Sequence, residues 1–301
     1  MNLSRKVAFG SLAVSLAVVS IKGFAYQLTG SVALFSDALE SIINVATAIA
    51  AVIAIRYAQQ PPDPQHPYGH HKAEYLSAVL VGALIFVAGA TILHEAYHGF
   101  LYPEPIDAPL LGVAVSSIAT VLNVIWSYVL IHTGRKQRSP ALVSDGKHLL
   151  ADVVTSLGVV VGVGLVIATG VQQLDSVVAA LVAVHVLWSG WEVIHENSGG
   201  LLDAAPPEVE LKQINEIIAA HAVDAIEFHD VRARNAGSAT FIDFHLVVPG
   251  AMSVAQSHAI CDRLEAALKD QLHEPIVSIH VEPEDKAEHG GARTQERQPA
   301  R

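Results

Sequence analysis

Gly146-Lys147-His148-Leu149-Leu150-Ala151-Asp152 opens an apolar run that continues to about Ala168. His148 and Asp152 are four residues apart, so a helix stacks them on one face as a pair of metal-ligand types. Their neighbours are Val, Leu and Gly. A run this long and apolar reads as a membrane span, where an ionisable pair is costly and marks a functional site by default.

Working outward, roughly six apolar stretches reach the ~20 residues a crossing needs: 7–27, 31–56, 75–98, 108–132, 147–169 and 173–195. The chain has 301 residues, 51% hydrophobic and 16% charged, with a mean hydropathy of +0.41. Such a balance is too apolar for an ordinary soluble domain. The first span is not a cleaved signal, because it is long, lacks a small-residue cleavage site and is followed by further spans. Arg5, Lys6, Arg56, Lys72, Arg135, Lys136, Arg138 and Lys147 fall on one side of the predicted bundle, which puts both termini in the cytoplasm. Lys22 is the exception, near the outer end of the first span, where its stem can snorkel to the interface. The net charge of −11 argues against a nucleic-acid partner, since phosphate binding needs a basic patch. Cys261 is the single cysteine, which excludes an intramolecular disulfide.

The second span contains Asp37-Ala38-Leu39-Glu40-Ser41-Ile42-Ile43-Asn44. Glu40 and Asn44 repeat the four-residue spacing of His148 and Asp152, so two facing helices can present Glu, Asn, His and Asp donors to one ion. Asp37 lies one turn outward on nearly the same face and is the competing ligand. Interhelical hydrogen bonding is the plainer reading of such residues, but it accounts poorly for three acids in two spans. The loop Pro61-Pro62-Asp63-Pro64-Gln65-His66-Pro67-Tyr68-Gly69-His70-His71 is stiffened by proline. In it Asp63, His66 and His70 have the types and spacing of a Zn²⁺-like site; a solvated polar loop explains its composition as well.

After Asp203, Ala204-Ala205-Pro206-Pro207 reads as a linker. Helical period over 208–220, alternation over 226–234 and 239–248, helical period over 253–272 and alternation over 276–281 predict an α-β-β-α-β module of about 80 residues, small enough for dimerisation to help it. The expected domains are a six-span membrane bundle over 1–203, the small cytoplasmic α+β module over 204–285 and a disordered tail over 286–301. His280 and Glu282 share one strand face. His94, His98, His132, His185 and His195 lie near span ends, and Gly158, Gly162 and Gly164 in the fifth span suit close helix packing.

The chain resembles the cation diffusion facilitator family, specifically its bacterial iron and zinc efflux branch, over about residues 5–285. The likeness rests on Ser31-Val32-Ala33-Leu34 leading into Asp37–Ser41, on His66-Pro67-Tyr68-Gly69-His70-His71-Lys72-Ala73-Glu74-Tyr75-Leu76-Ser77-Ala78, and on Asp145–Ser156. The middle motif is highly specific. The resemblance implies a metallochaperone-like C-terminal domain, a homodimer in the bacterial inner membrane and exchange of a divalent metal for protons. By position it places the transport site on Glu40, Asn44, His148 and Asp152, a second site on Asp63, His66 and His70, and a regulatory cluster bridging protomers on His229, His245, His258, His280 and Glu282. It further implies a hinge salt bridge between Lys72 and Asp203. His221, His273 and His289 read as inert surface residues.

The usual family pair in the second span is Asp or His followed by Asp, so Glu40 and Asn44 depart from it. A His with oxygen donors suits Zn²⁺ and Fe²⁺, but also Co²⁺ and Mn²⁺. Two other classes compete with transport. A membrane metallohydrolase needs a general base beside an open ligand position, and no HExxH or comparable motif is present. A metal sensor would bind metal without flux.

Overall fold

The computed structural model describes residues 3–29, 32–102, 110–171, 173–287 and 292–293, with the side chains of 32–40 and 110–116 and some others in the helices outside that description. Six long helices come first: α1 (Leu3–Thr29), α2 (Val32–Ala58), α3 (Ala73–Leu101), α4 (Leu110–Lys136), α5 (Pro140–Thr169) and α6 (Gln173–Leu201). The chain divides into two compact units, 1–199 and 200–301.

In the first unit α1, α2, α4 and α5 pack on one another. Their shared apolar centre includes Ala8, Ala51, Ile55, Leu130, Leu142 and Leu149. The α3–α6 pair lies against α5 through Val81, Ile85, Ala151 and Val186. Among the described residues, Leu3–Phe24, Ala73–Leu101, Ser117–Lys136 and Ser176–Leu201 are long and apolar enough to cross a membrane. In α2 the described apolar stretch is the shorter Asn44–Ala58, and α5 carries Asp145, Lys147, His148 and Asp152 along its 30 residues.

Small residues set how closely α3 and α6 approach. A Cβ on Gly190 would lie 2.7 Å from the Phe86 backbone nitrogen and 3.1 Å from the Gly82 carbonyl oxygen. A Cβ on Gly158 in α5 would instead meet the side chain of Val182 in α6, whereas the side-chain positions of 162–164 lie outside the described residues. Lys22 differs from expectation. It is 5% exposed, held among the helices instead of reaching outward, and it has an interaction partner there.

The second unit runs α7 (Glu208–His221), β1 (Glu227–Ala236), β2 (Ala239–Val248), α8 (Val254–Gln271) and β3 (Pro275–Pro283), then a 3-10 turn over Glu284–Lys286 and the short β4 (Ala292–Arg293). Gly237 supplies the left-handed conformation, φ +57°, that turns β1 into β2. Ser253 and Gln256 cap α8 reciprocally, satisfying donors that the first helical turn leaves open. The sheet order is β3-β2-β1-β4, with β2–β3 parallel and the other pairs antiparallel. β4 falls in the tail expected to be disordered, and its two residues pair with Glu227 and Phe228 instead. Phe228, Ile242, Phe244, Leu246 and Val248 join Ile214, Ile218, Leu264 and Leu268 of the helices in one core. Strand alternation sends the intervening residues, including His229, His245 and His280, to the opposite face.

Candidate metal centres

In the helical unit α2 and α5 meet at a polar contact. Asn44 donates through Nδ2 to Asp152 Oδ2 at 2.5 Å. Asn44 is 2% exposed and His148 4%. The Asn44 amide oxygen has no hydrogen-bond partner among the described residues, so an acceptor stands beside the carboxylate it touches. His148, Asp152 and Thr155 also line a cleft whose other wall is Leu84, Ile85 and Ala88 of α3 and Val186 of α6. The expected quartet is thus met in part: Asn44 and Asp152 touch, and His148 stands one turn before Asp152. Glu40 and Asp37 belong to α2 by their backbone, but their side chains lie outside the described residues.

One turn before His148 lies a residue given no role from sequence. Asp145 is 1% exposed and accepts from Ser11 Oγ of α1 at 2.6 Å and from Thr47 Oγ1 of α2 at 3.2 Å. It ties three helices together next to the ligand pair. Its spacing of three from His148 and seven from Asp152 places all three on one face, a signal legible without the structure. Glu74 was missed as well. It is buried at the start of α3 and accepts the hydroxyl of Ser139, just ahead of α5.

The loop between α2 and α3 brings Asp63, His66 and His70 together, with one ligand atom from each within 4.8 Å of the others. His66 Nδ1 and His70 Nε2 each lie 3.3 Å from an Asp63 carboxylate oxygen. Tetrahedral ligands ~2.0–2.1 Å from Zn²⁺ stand about 3.3 Å from one another, so the spacing suits one ion. Asp63 Oδ1 accepts from the backbone N–H of His66 at 2.7 Å and of Gln65 at 2.8 Å. The His66 bond leads in holding its carboxyl below the usual range, so it stays anionic. His70 is buried against Tyr57, with ring centroids 4.5 Å apart.

In the second unit strand register makes the third group. His229 pairs with His245 across β1–β2 and His245 with His280 across β2–β3, forming a row over three strands. Glu282 sits at its centre, 3.4 Å from His229 Nε2, 3.4 Å from His245 Nδ1 and 3.5 Å from His280 Nε2. His229, His245 and Glu282 offer ligand atoms within 4.8 Å of one another. His258 does not join them within one chain. It lies on the exposed side of α8, with Nε2 3.6 Å from Asp262 one turn on. Asp203 accepts from Arg234 Nη1 at 2.7 Å within its own unit, a partner not foreseen, while Lys72 immediately precedes α3 in the other.

The chain thus combines a unit of long apolar helices, in which Asn44 and His148 are buried and Asp152 half-buried, with a small α+β module that carries a histidine row. The family model of the cation efflux transmembrane domain matches residues 8–202, and that of the cation efflux protein cytoplasmic domain matches 206–284. The chain belongs to the cation diffusion facilitator family, whose members are transporters and not enzymes. It is 41% identical over 282 residues to the uncharacterized transporter sll1263 of Synechocystis sp., covering 94% of this chain and 91% of that one. It is 28% identical to the cation-efflux pump FieF of Salmonella typhi, covering 94% and 93%. A solved chain of the zinc-transporter candidate CzrB, in its zinc form, is 38% identical; the match covers 28% of this chain and 96% of that one, with a TM-score of 0.25.

Proposed function

We propose that this multi-pass membrane protein exports Zn²⁺ or Fe²⁺ from the cytoplasm in exchange for protons, through Glu40, Asn44, His148 and Asp152. The observation that carries this reading is the buried contact between Asn44 and Asp152 beside His148. An oxygen-rich set with one imidazole accommodates Zn²⁺, Fe²⁺, Co²⁺ and Mn²⁺, and affinity order alone does not choose among them. The name of the FieF relative, a cation-efflux pump, favours an efflux role.

Exchange follows from competition at one site. His148 ligates only when neutral, and Glu40 and Asp152 bind metal best when ionised, so metal arrival releases protons and protonation expels metal. The unfilled Asn44 oxygen acceptor supports its role as a neutral ligand. In this scheme Asp63, His66 and His70 hold metal near the cytoplasmic mouth. His229, His245, His280 and Glu282, with His258 from the partner protomer, bind regulatory metal across a homodimer in the inner membrane. Both termini face the cytoplasm. Metal bound at the regulatory cluster biases the cycle through its different affinity for two states.

The test is uptake of Zn²⁺, Fe²⁺, Co²⁺ and Mn²⁺ into proteoliposomes under an imposed pH gradient, beside the His148→Ala protein. Flux of one ion that needs both the gradient and His148 is expected. Flux retained in His148→Ala would refute the site, and metal binding without any flux would point to a sensor.

A further inference from the structure

Glu227 is a buried carboxylate, 5% exposed, that the transport scheme leaves without a part. We propose that it is a positioning residue for the histidine row: it accepts the Nδ1–H of His229 and so turns that ring's Nε2 lone pair toward Glu282 and an incoming divalent metal. This rests on reading His229, His245 and Glu282 as a metal site. Glu227 Oε1 lies 3.2 Å from His229 Nδ1, and on the far side of the same ring Nε2 lies 3.4 Å from Glu282 Oε2. A neutral imidazole has one N–H and one lone pair. Committing the N–H to Glu227 leaves the lone pair on the nitrogen that faces the other ligands. A carboxylate behind a metal-bound histidine fixes the tautomer and raises the ring's basicity.

The backbone builds this arrangement. Glu227 and His229 are two residues apart on β1, hence on one face. Val247 of β2 is the register partner of Glu227 on one side and of Glu282 on the other, so the two carboxylates stand level on either side of the central strand. Regular β1–β2 pairing breaks immediately after His229, and Asp230 takes φ 54°. The bulge interrupts the ladder directly after the histidine, before pairing resumes at Arg232, a common device for aiming a side chain at a site. His229, 9% exposed, is enclosed here, with the His245 ring 5.2 Å away edge-on, so its ring orientation is set by its protein neighbours and not by solvent. Two carboxylates beside one ring also match the charge of a single divalent ion.

The experiment uses full-length protein in detergent with Asp63→Ala, His66→Ala and His148→Ala built in, so that the histidine row alone is titrated. Zn²⁺ affinity is measured by competition with a chromophoric chelator, and Co²⁺ absorption reports the ligand set. Glu227→Gln is expected to weaken Zn²⁺ binding about 10–100-fold, with the Co²⁺ band at saturation and the metal-free melting temperature unchanged. Glu227→Asp should recover part of the loss. His245→Ala, which removes a ligand, should abolish binding. Unchanged affinity in Glu227→Gln while His245→Ala abolishes binding would overturn the proposal and leave the site standing. A weakened Co²⁺ band at full occupancy would make Glu227 a ligand, and a lowered metal-free melting temperature with intact affinity would make it structural; either overturns positioning. If His245→Ala has no effect, the site itself is refuted and the proposal with it.

Discussion

Ser139 donates its hydroxyl to the Glu74 carboxylate, and the bond joins the first turn of α3 to the N-terminus of α5. The backbone N–H of Ala141 donates to the same carboxylate. The first turn of any helix leaves N–H groups without intrahelical partners and favours a negative charge nearby. Here the cap arrives from another helix. Glu74 lies four residues after the loop histidine His70, and α5 carries His148 and Asp152, so the loop group and the intramembrane pair hang from one clamp. Glu74→Ala should destabilise the membrane unit by about 1–3 kcal/mol, the cost of leaving buried donors unpaired, and slow transport. Thermal melting in detergent and flux in proteoliposomes check both; unchanged melting would mean the clamp carries no load.

Asn44→Asp should exchange a hydrogen bond for a repulsion. Two carboxylates in the place of the 2.5 Å Asn44–Asp152 contact repel unless a proton or cation stands between them. The metal-free protein should melt lower than the parent, and Zn²⁺ should restore more stability to it than to the parent. Transport should shift toward Zn²⁺. An unchanged preference among Zn²⁺, Fe²⁺, Co²⁺ and Mn²⁺ would remove Asn44 from the selectivity ligands.

Asp63 gives a pH prediction whose sign is fixed by its backbone bonds. Because the folded carboxyl is held below its free value, its contribution to loop order is present above the free range of about 3.9. That contribution is lost only as pH falls further, through the lowered folded value. Carbon-13 NMR of labelled aspartate in the metal-free protein should show Asp63 titrating below free aspartate. A midpoint at or above the free value would contradict the turn geometry.

Gly190 is a steric prediction. A Cβ there meets backbone atoms of Phe86 and Gly82, which cannot rotate aside, so Gly190→Ala should force α3 and α6 apart and cost about 1–3 kcal/mol. Gly158→Ala meets side-chain atoms of Val182 and should cost less. Melting of the two variants in one detergent compares them directly; equal losses would rule out backbone contact as the cause.

The helices and the strands β1 to β3 were legible because each announces itself locally, by an unbroken apolar run, by helical period or by alternation. The loop group was legible for the same reason: Asp63, His66 and His70 lie within eight residues. What escaped the sequence is long-range. Ser11 and Thr47 reach Asp145 from 134 and 98 positions away, and Ser139 reaches Glu74 from 65. A serine or threonine in an apolar helix carries no mark of the acid it will face. Glu227 carries no local sign of its burial either, because its partners across the sheet, Val247 and Arg293, are 20 and 66 positions away. His258 stands apart: its residue type matches the histidine row, but its place on the exposed side of α8 keeps it from that row within one chain.

The row itself has a consequence for how the C-terminal unit matures. His229, His245 and His280 are neighbours only because β1, β2 and β3 hold one register. A slip of β3 by a single residue would turn His280 and Glu282 toward the hydrophobic interior and Val281 outward. An ion bridging the strands would therefore favour the correct alignment over the slipped one, acting as a gauge that a misregistered sheet cannot satisfy.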